Sequence, residues 1–161
     1  MKEMTETEAY RRLTARCAAS EQCRYDLYLK IFRWGIGSDA AQGLLDRLER
    51  EGYVDARRYC RAFANDRTRF AGWGKKKVEQ ALRAKQLPAD AIAAALEETA
   101  DDTDYDDTLR RLLAAKRRSL SGDTRTHWAK LMRYGTGRGF EAERVARILA
   151  ETGMEQQEDE P

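Results

Sequence analysis

Trp34-Gly35-Ile36-Gly37-Ser38-Asp39-Ala40-Ala41 has two counterparts further along the chain, Lys85-Gln86-Leu87-Pro88-Ala89-Asp90-Ala91-Ile92 and Arg138-Gly139-Phe140-Glu141-Ala142-Glu143-Arg144-Val145. Each reads as the end of one helix, a turn residue followed by one apolar residue, and an acidic or small opening to the next helix. The apolar anchors Ile36, Leu87 and Phe140 are spaced by 51 and 53 residues. Five residues beyond each stands Ala41, Ile92 or Val145, and the helical spacing continues through Leu44 and Leu45, Ala95 and Leu96, Ile148 and Leu149. A period of about fifty residues signals stacked helical units.

Three helices fit into each unit. First helices are predicted over Glu6 to Cys17, Arg57 to Phe70 and Tyr105 to Arg118, with apolar positions recurring at i, i+3 and i+4, as in Leu109, Leu112 and Leu113. Second helices are predicted over Arg24 to Trp34, Lys75 to Lys85 and Thr124 to Tyr134, and third helices over Ser38 to Glu51, Pro88 to Thr99 and Glu141 to Thr152. Pro88 suits a first turn, where no intrahelical N–H bond is lost. The expected fold is all-α: an elongated array of three tandem three-helix repeats over residues 1–53, 54–102 and 103–153. An acidic tail, 154–161, is expected to be disordered.

Composition agrees. Of 161 residues 36% are charged and only two are proline, and the mean hydropathy is −0.80. So little apolar material favours packed amphipathic helices over one thick core. Cys17, Cys23 and Cys60 are odd in number, lack CxxC spacing and follow no signal peptide, which argues against a disulfide framework. No apolar run is long enough to span a bilayer. A cytoplasmic protein with no membrane association is therefore expected. His127 is the single histidine and has no clustered Cys or carboxylate near it in sequence, so neither a metal site, a catalytic residue nor a cofactor is expected.

The formal net charge of +2 hides a segregation. Between Arg57 and Lys85 ten basic residues face only Asp66 and Glu79, and between Arg110 and Arg147 eleven face Asp123, Glu141 and Glu143. Acids collect instead at Asp101, Asp102, Asp104, Asp106 and Asp107 and in the tail from Glu155 to Glu160. These read as a solvated linker and the N-terminal acids of a helix.

The first basic cluster holds the candidate binding residues Arg57, Arg58, Arg67, Arg69, Trp73, Lys75, Lys76 and Lys77. Three adjacent lysines at a helix start oppose the macrodipole, so stability alone gives no reason for them; the alternative is a solvated helix start. Trp73, bracketed by Gly72 and Gly74, either presents its face to a partner or nucleobase or caps a joint between two helices. Arg117, Arg118 and Arg138 in the second cluster extend the candidate face. Tyr53 and Tyr59 read as packing residues, and Trp34, Trp128, Leu27 and Ile31 as core.

Cys23-Arg24-Tyr25-Asp26-Leu27-x-x-Lys30-Ile31-x-x-Trp34-Gly35-Ile36 resembles the Ser-Arg-x-Glu-Leu-x-x-Lys-Leu-x-x-Lys/Arg-Gly-Phe/Ile phrase of the RecX family, bacterial regulators of the recombinase RecA. Leu48-x-x-x-Gly52-Tyr53-Val54-Asp55-x-x-Arg58-Tyr59-Cys60 and Arg67-x-x-x-x-Gly72-Trp73-Gly74, followed by Val78, Leu82, Lys85 and Leu87, are similar to its next two series. Lys130-Leu131-x-Arg133-Tyr134 and Arg138-Gly139-Phe140 carry the likeness through the third repeat. Two departures stand out. Gln86 replaces the usual glycine, which suggests a different helix end there. Gly135 replaces a family leucine and, with Gly137 and Gly139, is expected to shorten the second helix of the third repeat and loosen its packing.

The resemblance implies a non-enzymatic modulator, usually an inhibitor, of RecA that lodges in the groove of the RecA–single-stranded DNA filament. Its implied partners are the RecA filament and single-stranded DNA, met directly or through RecA. The alternatives are a sequence-tolerant nucleic-acid binder and, more remotely, a transcriptional regulator, since the pairs around Gly35-Ile36 and Gln86-Leu87 faintly resemble helix-turn-helix units. A monomer is expected.

Overall fold

The computed structural model describes residues 4–100 and 103–155, and among these every regular element is helical. Nine α-helices follow one another among the described residues: α1 Glu6–Ala19, α2 Arg24–Arg33, α3 Ser38–Arg50, α4 Ala56–Arg69, α5 Lys75–Ala84, α6 Ala89–Ala100, α7 Thr103–Ser119, α8 His127–Gly137 and α9 Ala142–Glu151. They fall in threes, in the places the repeated phrase predicts. The expected tail lies beyond the described residues from position 156 onward, as do Asp101 and Asp102.

Local chemistry sets the helix starts. The Thr5 hydroxyl accepts from the Glu8 amide at 3.1 Å, the first half of a Thr-x-x-Glu capping arrangement. An Asp55 carboxylate oxygen accepts from the Arg58 amide at 2.8 Å, and Asp123 accepts from Arg125 at 3.0 Å to open a single 3-10 turn, Thr124–Thr126, ahead of α8. Pro88 supplies the carbonyl that accepts the first α6 bond, from Ile92 at 3.1 Å. It therefore needs no donor of its own.

The chain divides into two compact units, Met1–Ala62 with Leu82–Ala95 and Phe63–Ala81 with Leu96–Pro161. The core of the first gathers Ala9 and Leu13 from α1, Leu27 and Ile31 from α2, and Ala41, Leu44, Leu45 and Leu48 from α3. The α3 set repeats at i, i+3, i+4 and i+7, so one face of the helix is apolar and enters the core. The core of the second unit gathers Tyr105, Leu109 and Leu113 from α7, Leu131 from α8, Phe140 from the turn, and Val145, Ile148 and Leu149 from α9. Trp34 and Trp128 pack partly buried against these cores.

Both expectations built on glycine departures are corrected. Gln86 does not end its helix differently: with φ +59° it takes the left-handed conformation that Gly35 (φ +80°) and Gly139 (φ +98°) take at the corresponding turns. The following amide then reaches back to the helix in all three, Ile36 to Ile31 at 3.4 Å, Leu87 to Leu82 at 3.3 Å and Phe140 to Gly135 at 3.1 Å. This bond returns an otherwise unpaired carbonyl to use, and so holds a non-glycine residue in a conformation that costs roughly 1–2 kcal/mol. Part of that cost is offset by the greater unfolded-state freedom a glycine would bring. Gln86→Gly is therefore expected to stabilise the protein by about 0.5–1 kcal/mol and raise its melting temperature by about 2–4 °C. A melting temperature equal to or below that of the parent would contradict this account.

Gly135, for its part, does not shorten α8, which at 11 residues is longer than α2 and α5 at 10 each. A Cβ on Gly135 would stand 2.8 Å from a Val145 methyl, and Val145 is fully buried. The absent side chain lets α8 and α9 approach closely, tightening the contact that a loss of leucine was expected to loosen.

Candidate binding surface

The connection between α4 and α5 is fixed at its backbone within the second unit. Gly72 takes φ +66°, and the Trp73 amide reaches back to the Arg67 carbonyl at 3.0 Å. The Thr68 hydroxyl, buried, donates to the Trp73 carbonyl at 3.0 Å. Arg138 then grips the turn from the α8–α9 connection: its Nε donates to the Gly72 carbonyl at 2.9 Å and its terminal nitrogen donates to the Ala71 carbonyl. Among the sequence-predicted binding residues, Arg138 is therefore engaged in holding the fold.

α5 begins against the end of α8. The Gly74 amide donates to the Arg138 carbonyl at 2.7 Å and the Lys76 amide to the Gly139 carbonyl at 2.9 Å. The Lys75 amide donates to the Tyr105 hydroxyl at 2.9 Å, and that hydroxyl donates to Glu141 at 3.2 Å. Burial pushes the Tyr105 phenol well above its ordinary value, so it stays protonated and makes both bonds at any ordinary pH. The carbonyl end of one helix thus faces the amide end of another. This also answers why three lysines are tolerated at the start of α5: the negative pole of α8 lies there to offset them.

Trp73 is half-buried in a cluster of its own. Phe63 meets it edge-on with ring centroids 6.2 Å apart, the Arg67 guanidinium lies 5.2 Å from its ring centre, and the Lys77 ammonium lies 4.7 Å away. Arg67 also lies 4.9 Å from the Phe63 ring. The ring gathers two of the predicted cations, one from α4 and one from α5.

The remaining cations separate into two kinds. In the first unit Arg58 pairs with Glu21 at 2.5 Å and donates to the Gly52 and Tyr53 carbonyls, closing the turn before α4; Arg57 faces Asp90 at 3.6 Å. In the second, Arg69 faces Asp104 at 3.3 Å. Against these, Arg67, Lys75, Lys76, Lys77, Arg117 and Arg118 form no ion pair among the described residues. Lys75 and Arg117 are related through α7: Tyr105, beside Lys75, and Arg117 stand twelve residues apart on that helix, about 18 Å. Lys116, beside Arg117, lies 5.3 Å from the Tyr134 ring, and Arg138 lies 5.7 Å from the same ring.

The thiols do not add chemistry. Burial pushes the Cys60 thiol up to about 11, which leaves it protonated and a poor nucleophile at neutral pH. No group of His, Cys, Asp and Glu able to hold a metal occurs among the described residues. Among the same residues no helix is long and apolar enough to cross a membrane.

Relatives match this architecture along its length. Residues 55–96 match the family model described as RecX, second three-helix domain. The regulatory protein RecX of Pseudomonas fluorescens is 30% identical over 140 residues, spanning 86% of this chain and 87% of its own. The chain belongs to the RecX family. The regulatory protein RecX of Prosthecochloris aestuarii is 29% identical over 133 residues, 81% of this chain and 84% of its own. In fold, the RecX-family chain is similar to the crystal structure of RecX from Lactobacillus salivarius, with a TM-score of 0.79 at 16% identity over 92% of this chain and 96% of that one. A second crystal structure of regulatory protein RecX matches with a TM-score of 0.77 at 17% identity. The family is one of regulatory proteins, and its helical repeat architecture is shared here.

Two features of the surface escaped the sequence reading. Tyr105 carries no motif and sits in an acidic run, so nothing marks it as the residue that receives the start of α5. Phe70 looks like an apolar helix position, and only its accessibility distinguishes it.

Proposed function

We propose that this chain regulates RecA by binding the RecA–single-stranded DNA filament, and that its usual effect is to inhibit the ATPase, strand-exchange and coprotease activities. What carries the reading is the coincidence of RecX-family membership with a set of cations, Arg67, Lys75, Lys76 and Lys77, that the fold positions and leaves without ion pairs among the described residues. Arg117 and Arg118 extend the set. The filament offers repeated acidic surfaces and phosphates, and the three repeats over 1–53, 54–102 and 103–153 would meet successive protomers. Individually modest ion pairs then add through simultaneous engagement. Bridging of protomers restrains the movements coupled to ATP hydrolysis and obstructs incoming duplex DNA. No step of this account requires catalysis by the chain itself.

The test is RecA ATPase activity on single-stranded DNA with this protein titrated from substoichiometric to excess. Inhibition is expected at levels too low to coat the DNA. A gel-shift on the same DNA without RecA separates the other reading: DNA binding with no ATPase effect identifies a general nucleic-acid binder and removes the filament-directed role.

A further inference from the structure

We infer that Phe70 is a base-stacking contact for single-stranded nucleic acid, presented beside a phosphate-binding set made of Arg67, Lys75, Lys76 and Lys77. Phe70 is 86% exposed, the most exposed of the large apolar side chains among the described residues, which also include Phe32 at 69%. Mere fraying does not explain that exposure. The Phe70 amide still donates to Asp66 at 2.9 Å at the end of α4, and the two residues that follow have their carbonyls held by Arg138. Space behind the turn is filled, since a Cβ on Gly72 would stand 3.0 Å from Arg138 and 3.1 Å from Leu112. An aromatic ring is thus held out into water on a turn whose backbone is already ordered, so binding has only the ring's own rotamer left to fix.

The charge beside it selects the occupant. Arg67 lies one helical turn before Phe70, and at most about 17 Å of chain separate Phe70 from Lys75, within the span of a few nucleotides. Arg67 and Lys77 are held against Trp73, so Trp73 positions cations while Phe70 offers an open face. An exposed ring flanked by cations without ion pairs suits a strand that carries phosphates and unstacked bases. An apolar pocket of a protein partner would need no such cations. Phe32 sits at the end of α2 with its carbonyl accepting from Gly35 at 3.0 Å, but among the described residues no arginine clamps that turn as Arg138 clamps the one after Phe70.

The inference deepens the filament reading, because that filament contains single-stranded DNA, but its test uses no RecA. Binding of the full chain to a fluorescent thymidine oligonucleotide is compared by anisotropy with binding to an abasic deoxyribose-phosphate strand of equal length. The parent is expected to prefer the thymidine strand. Phe70→Ala should bind it about 5- to 100-fold more weakly, bind the abasic strand as before, and melt at the parent's temperature, since the ring packs against little. Phe70→Trp should keep the preference. Equal binding of both strands by the parent, no thymidine binding by the parent, or an unchanged thymidine affinity in Phe70→Ala would each overturn the inference. An ATPase effect that survives while the base preference is missing would leave the filament reading standing and remove this one.

Discussion

Gly74→Ala is expected to destabilise the second unit by about 3–4 kcal/mol and lower its melting temperature by about 10 °C. A Cβ built on Gly74 would overlap the Gly139 carbonyl carbon and the Phe140 nitrogen. Both are backbone atoms, so no rotamer change relieves the overlap and α5 must lift from the α8–α9 connection. The move forfeits the bonds from the Gly74, Lys75 and Lys76 amides to the Arg138 carbonyl, the Tyr105 hydroxyl and the Gly139 carbonyl. Each is worth about 1 kcal/mol net, and more where Gly74 is left buried without a partner. Gly139 closes the contact from the other side, where a Cβ would stand 2.6 Å from the Lys77 amide nitrogen. Gly137→Ala is the control: its Cβ meets nothing within 4 Å inside α8, and helix propensity predicts a gain of up to about 1 kcal/mol. Thermal melts by circular dichroism decide the matter. A Gly74→Ala protein that melts like the parent would show that the backbone contact does not hold α5.

Replacing Lys75, Lys76 and Lys77 together with alanine should weaken filament binding by about 3- to 100-fold while leaving the fold in place. Three exposed or half-exposed ion pairs at about 0.2–1 kcal/mol each account for roughly 0.6–3 kcal/mol. The stability side is favourable to the experiment. None of the three ammonium groups has an ion pair to lose among the described residues, and their repulsion from the α5 amide end and attraction to the α8 carbonyl end are lost together. Lys77 gives up its place 4.7 Å from the Trp73 ring, worth about 0.5–1 kcal/mol. A co-sedimentation or ATPase titration against the filament, repeated at rising salt, reads the result. Full inhibition by the folded triple variant would remove these lysines from the interface. Arg138 is the contrasting residue: it already donates to the Gly72 and Ala71 carbonyls. Its loss should show first as a lower melting temperature, with weaker binding following from the loosened turn.

The nine helices of the described residues and the turns that recur between them could be read from the chain because apolar spacing and the recurring turn are local signals. Leu44, Leu45 and Leu48 fix the buried face of α3 whatever lies across from it, and the 51- and 53-residue spacings of Ile36, Leu87 and Phe140 mark the turns. The overall basic excess was equally legible, being a matter of counting. Other features depend on bonds and contacts that residue type does not disclose. Gln86 takes a glycine's conformation because the Leu87 amide can bond Leu82, a balance that residue type alone predicts with the wrong sign. Gly135 tightens its helix pair because Val145 stands opposite.

The candidate surface was decided almost wholly by tertiary structure. Sequence placed eleven residues in one functional class on charge and aromatic character. Ion pairs and backbone bonds from residues as far as 67 positions away, as between Arg138 and Ala71, then divide them into cations that hold turns and cations that remain available. Charge is a property of each residue, whereas availability depends on what the fold brings within about 4 Å of it.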